Sequence, residues 1–139
     1  MNNPAVTVIV AVFNAQDFIA DCLTSLLNQT FADFEVIVAD DCSTDSSRAV
    51  VQKFSSNFGG RLKLMTLSKN SGRPGIPRNF ALEAARGKYV YFLDSDDLLT
   101  KSTLTSPSRA DNFKPKSSAC RRANSSPRRR LRLSTSADA

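Results

Sequence analysis

Two acidic stretches and one basic loop hold most of the residues in this chain that could do chemistry. The first is Asp94-Ser95-Asp96-Asp97, which follows the apolar run Tyr89 to Leu93. Carboxylates one residue apart at a strand end can converge on one hard divalent cation. Mg2+ or Mn2+ prefers such oxygen ligands and keeps positions open for the oxygens of a diphosphate. Taken alone, the tetrapeptide reads equally well as a solvated Asp-rich turn.

The second stretch is Asp40-Asp41-Cys42-Ser43-Thr44-Asp45. A carboxylate at a strand end beside a helix start can accept hydrogen bonds from a base N–H or from ribose hydroxyls. The competing use is helix capping by Ser43 or Asp45. Two acids ahead of the cap exceed what capping needs. Two acidic clusters brought close together repel unless a cation or polar ligand lies with them, so both strand tips are expected to meet around one cation. The third stretch, Asn70 to Asn79, carries Arg73 and Arg78 near a helix start. Such arginines suit diphosphate recognition, through bidentate contacts and the helix dipole. Arg78 could equally pair with Glu83 or with an Asp cluster.

Composition narrows the chemistry further. The chain has no histidine, which removes Ser–His and Cys–His nucleophiles and any His-based metal site. Cys22, Cys42 and Cys120 form no metal spacing and cannot all pair, so a reduced compartment is expected. The carboxylates must carry the chemistry.

The elements that position these residues alternate regularly. Val6 to Val12 is a β-branched run of the kind buried on both faces of a parallel sheet. Asn14 is expected to cap a helix whose apolar face is Phe18, Ile19, Cys22, Leu23, Leu26 and Leu27. Phe34 to Ala39 reads as the second strand. A second helix presents Ala49, Val50, Phe54 and Phe58, and Gly59-Gly60 stops it. Leu62 to Leu67 is the third strand. Pro77 suits the first turn of a third helix lined by Phe80, Ala84 and Ala85, which Gly87 ends. Tyr89 to Leu93 is the fourth strand. The fold class is therefore α/β, an open, mainly parallel sheet with alternating helices and right-handed crossovers. Such sheets bind ligands at the carboxyl ends of their strands, where both acidic stretches fall.

The net charge of +6 is unevenly placed. Residues 105–139 hold nine Lys and Arg against two Asp, a net of +7, which leaves residues 1–104 at −1. The stretch 105–139 is Ser- and Arg-rich with few bulky apolar residues, and such composition does not offset the entropy of ordering. The chain is thus expected to comprise a domain over 1–104 and a disordered basic tail over 105–139. Arg121, Arg122, Arg128, Arg129, Arg130 and Arg132 raise the possibility of nucleic-acid binding, but no aromatic residue interleaves with them and that partner is disfavoured. No apolar run is long enough to span a membrane. A G-x-G-x-x-G does not follow the first strand, which disfavours generic dinucleotide binding.

Taken in order, VTVIVAVFNAQDFIADCLTSLLNQTFADFEVIVADDCSTDSS and NSGRPGIPRNFALEAARGKYVYFLDSDDLLT resemble family 2 glycosyltransferases of the GT-A fold, over about Val6 to Thr100. The resemblance implies the Rossmann-like, nucleotide-sugar-binding half of that fold. By it, Val12, Phe13 and Asn14 would line the nucleotide pocket. Asp41 would contact the base, supported by Asp40, and Arg78 would order the diphosphate. Asp94, with Ser95 beside it, would face the ribose and the sugar nucleotide, while Asp96 would hold the Mg2+ or Mn2+ together with Asp94. The implied reaction is metal-dependent, inverting transfer from a nucleotide sugar, with a UDP-sugar expected, to a glycan or lipid acceptor. It would take place in the cytoplasm or at the inner face of a membrane. Ala11, Phe13 and Cys42 stand where the family usually has Pro, Tyr and Gly. Cys42 would be strained if its turn needs positive φ. The family's second half, which supplies the general base, has no counterpart after Leu104. No catalytic base is assigned, and a frameshifted or truncated product is expected. The alternative reading is a truncated, non-catalytic nucleotide-sugar-binding remnant.

Overall fold

A computed structural model of the chain describes residues 3–73, 75–104 and 120–122. Among the described residues, five strands form one sheet in the order β3-β2-β1-β4-β5. They are β1 (Val6–Val12), β2 (Phe34–Asp40), β3 (Leu62–Thr66), β4 (Tyr89–Asp94) and β5 (Cys120–Arg122). The helices are α1 (Ile19–Leu27), α2 (Ser47–Phe54) and α3 (Gly75–Ala84), with a 3-10 turn at Ser56–Phe58.

β1 to β4 are mutually parallel, as the alternation of strands and helices requires. β1 is the central strand, and all of β2 is buried. Strand order reverses between β1 and β4, which opens a crevice at their carboxyl ends. Val8, Ile9 and Val10 of β1 are inaccessible to water, as are Ile19, Leu23 and Leu26 of α1. Each such side chain contributes roughly 1.5–3 kcal/mol by burial.

The helix faces are partly redrawn. In α2 the inward residues are Ser47 and Val51, with Val50 and Phe54 half-buried behind them and Phe58 beyond. Ala49, expected on that face, is exposed. Phe18 and Phe80 also face out, at 54% and 39% exposure, because α1 begins at Ile19 and α3 turns Pro77, Arg78, Ala81 and Leu82 inward.

Gly87 acts through close approach to β1. A Cβ there would lie 2.5 Å from the Thr7 nitrogen. The bare glycine lets its N–H donate to Thr7 Oγ1 at 2.8 Å, while that hydroxyl donates to Glu35. Within 105–139, where no element was expected, β5 pairs antiparallel with Tyr89–Tyr91 of β4. The rest of that stretch, and the disorder expected of it, lies outside the described residues. Among the described residues no helix is long and apolar enough to cross a membrane.

Candidate functional site

The turn after β1 is stitched to the loop after β2. Asn14 takes positive φ, 49°. Its Oδ1 accepts from the Thr44 N–H at 2.8 Å and the Asp45 N–H at 3.3 Å. Asn14 therefore caps a turn some thirty residues away, not α1, which has no side-chain cap. Ser43 Oγ accepts from the Asn14 N–H, and Ser47 Oγ from the Ala15 N–H. Asp45 serves the start of α2, accepting from the Ser47 N–H at 2.9 Å.

The adjacent aspartates have different surroundings. Asp40 is buried; its carboxylate accepts from the Ser43 N–H and hydroxyl and lies 3.5 Å from Arg48 Nε. It holds the loop and does not line the neighbouring cleft. Asp41 does line it. Its N–H donates to the Val12 carbonyl at 2.7 Å, which fixes it against the end of β1. Its carboxylate accepts from the Ser71 N–H and Ser71 hydroxyl, both at 2.8 Å, and its carbonyl accepts from Asn70 Nδ2. The cleft, of about 250 Å3, is walled by Val12, Phe13, Asp41, Asn70, Arg73 and Pro77 among others. Asn14 is not among its walls. Cys42 sits at φ 61°, so the strain expected of a non-glycine residue at that turn is present.

At the end of β4, Asp94 Oδ1 accepts from Arg78 Nη2 at 2.6 Å. Arg78 is buried on α3, so the pairing with an Asp cluster is the one adopted. The turn closes through the Asp97 N–H on the Asp94 carbonyl, with Ser95 half-buried between them. Carboxylate oxygens of Asp94, Asp96 and Asp97 lie within 4.8 Å of one another. Burial first, then the charges of Asp94 and Asp96, raises the Asp97 carboxyl above its ordinary value. Beneath the turn, burial and the same acids push the Cys22 thiol up to about 12, so it stays protonated and is no nucleophile.

The two acidic tips share one edge of the sheet, but among the described residues the cluster that can hold a cation comes from the end of β4 and its turn alone. Asp41 is turned toward Asn70 and Ser71 instead, which corrects the expectation that both tips meet around the ion. Asp97 joins as a third carboxylate. Three oxygen donors at this spacing, without sulfur or imidazole, fit Mg2+ or Mn2+. Asn70 and Ser71 as partners of Asp41 were missed. The clue was a pair of short polar residues ahead of Gly72, a glycine with φ of 74°.

The model of "Glycosyl transferase family 2" matches residues 7–121. The chain belongs to that family. It is 46% identical over 100 residues to the poly(ribitol-phosphate) beta-N-acetylglucosaminyltransferase TarS of Staphylococcus aureus (strain Mu50), an alignment covering 70% of this chain and 17% of TarS. The crystal structure of S. aureus TarS 1-349 in complex with UDP superposes with a TM-score of 0.69 at 44% identity, covering 76% of this chain and 31% of that one. The mannosyltransferase PcManGT from Pyrobaculum calidifontis, in complex with GDP-Man and Mn2+, gives a TM-score of 0.64 at 30% identity, covering 70% of this chain and 29% of that one. This family 2 chain therefore has the GT-A fold, and it spans less than a third of the length of the matched chain in each of these three comparisons.

Proposed function

We propose that this chain binds the donor of a glycosyltransferase, a nucleotide-activated sugar of the UDP class, with a divalent cation at the acidic turn. The observation that carries this reading is the arrangement along one sheet edge. A cleft with Asp41 and Phe13 in its walls opens at the end of β1, and a three-carboxylate turn ends the neighbouring β4. Family relatives crystallised with UDP and with GDP-Man and Mn2+ support the donor class and the ion.

In this reading the base enters the cleft beside Phe13 and Val12, and Asp41 accepts from its N–H. The carboxylate can do so because Ser71 already fixes its direction, with Asn70 Nδ2 3.4 Å from Oδ2. Asp40 acts at one remove, by holding the loop that carries Asp41. Arg78 aims the Asp94 carboxylate. Asp96 and Asp97, with Asp94, would hold the cation. When bound, such an ion screens the diphosphate and stabilises the nucleotide leaving group. The transfer is read as inverting, to a glycan or lipid acceptor, with the work done on the cytoplasmic side.

Calorimetric titration of UDP into the chain, with and without MnCl2, tests the proposal. Micromolar binding that strengthens at least tenfold with Mn2+, and loses that gain in Asp96→Asn, is the expected result. Absence of UDP binding at millimolar concentration would sink it. Incubation with UDP-sugars and candidate acceptors separates the two readings of the chain: product marks a transferase, and its anomeric configuration by NMR tests inversion. Binding without turnover marks a non-catalytic binding module.

A further inference from the structure

α1 carries a polar edge that follows the chain beyond the acidic turn. Cys22, Ser25 and Gln29 stand three and four residues apart and so face the same way. Cys22 Sγ donates to the Asp94 carbonyl at 3.7 Å. Ser25 Oγ accepts from the Leu99 N–H at 3.2 Å. Gln29, just past the helix end, donates from Nε2 to the Thr100 carbonyl at 2.6 Å and accepts on Oε1 from the Leu104 N–H at 3.0 Å. The same Nε2 reaches the Ser25 carbonyl at 3.2 Å. The Thr30 N–H adds a bond to the Lys101 carbonyl at 3.0 Å.

Gln29 is 9% exposed and Leu104 3%. Two carbonyls on one side and an N–H on the other fix which way the amide points. One side chain thus closes the loop from residue 100 to 104 at both ends and ties it to α1.

We propose that Gln29 is a positioning residue for the divalent-cation site, holding the downstream arm of the Asp94–Asp97 turn so that its three carboxylates stay converged. This rests on the cation reading above. Converged carboxylates repel one another, and Asp96 and Asp97 are exposed, so the turn has little packing of its own to resist spreading. Its upstream arm is β4, locked in the sheet. Its downstream arm is held by Ser25, Gln29 and Thr30. Removing the Gln29 amide releases that arm and leaves a buried Leu104 N–H without its acceptor. Groups that orient metal ligands from outside typically change metal affinity by about 10–100-fold.

The test uses the full 139-residue chain with saturating UDP, reading Mn2+ affinity by electron paramagnetic resonance. Gln29→Ala is expected to weaken Mn2+ about tenfold, while UDP affinity without cation moves less than about twofold. Gln29→Glu keeps the acceptor for Leu104 but opposes the Thr100 carbonyl, so it should fall between. Amide exchange provides a cation-free readout: Leu99 and Leu104 should exchange at least tenfold faster in Gln29→Ala, with Val8 and Ile37 unmoved. Should Gln29→Ala fail to fold, Ser25→Ala carries the same test through the Leu99 contact, with a weakening of a few-fold. A folded Gln29→Ala chain binding Mn2+ within about twofold of wild type overturns the role of Gln29 alone. A wild-type chain that takes up no Mn2+ beside UDP sinks the cation reading, and this inference with it.

Discussion

The Arg78 guanidinium lies 2.6 Å from the Asp94 carboxylate, and 7% of its side chain is exposed against 34% for Asp94. This pair joins α3 to the end of β4 and sets the direction of the first acid of the Asp94–Asp97 turn. Arg78 Nη2 serves this internal partner.

Arg78→Ala should therefore destabilise more than Asp94→Asn. Losing the cation strands a partly buried carboxylate beside two other acids, whereas losing the charge of Asp94 leaves an amide that still meets Arg78. Because Asp94 is partly solvated, the expected cost of Arg78→Ala is about 2 kcal/mol, below that of breaking a fully buried pair. Urea denaturation of both variants measures it, and equal midpoints would contradict this account.

Cys42 occupies the left-handed region at φ 61°, where a side chain clashes with the following carbonyl. Cys42→Gly removes that clash but enlarges the entropy of the unfolded chain. The net expectation is a stabilisation of about 0.5–1 kcal/mol, with Cys42→Ala giving none. Thermal melts of the two variants decide the point.

Gly87→Ala should cost about 2–3 kcal/mol, because the new methyl meets backbone as well as a side chain. A Cβ would stand 2.5 Å from the Thr7 nitrogen and 2.7 Å from the Val6 carbonyl carbon. Either β1 or the α3–β4 connection must move. A melting temperature within a degree of wild type would show that the connection yields freely.

Stability should fall in alkali through Cys22. The folded thiol titrates near 12, against 9.0 ordinarily, chiefly because it is buried. Above pH 9 the unfolded chain loses this proton while the folded chain keeps it, so unfolding is favoured as pH rises. The contribution is about 1 kcal/mol between pH 9 and 10. Cys22→Ala should lose stability less steeply over that window, and native Cys22 should resist iodoacetamide at pH 8 while the half-buried Cys42 reacts.

The apolar runs at Val6 to Val12 and Phe34 to Ala39, the helical spacing of apolar residues and the glycine stops are local signals, and they determined the order of strands and helices. Because that order dictates a parallel sheet, the sequence also determined that Asp41 and Asp96 lie along one edge. Membership of family 2 followed from the same ordered segments. Tertiary structure alone decided how the polar groups pair. Asp41 chose Ser71, Asn14 chose Thr44, Arg78 chose Asp94 over Glu83, and Gln29 bridged Thr100 and Leu104. Hydrogen bonds of this kind are each worth about 1 kcal/mol and have many candidate partners of similar strength. Their choice is made by which backbones the packed core brings within 3 Å, and no local pattern of residues carries that information.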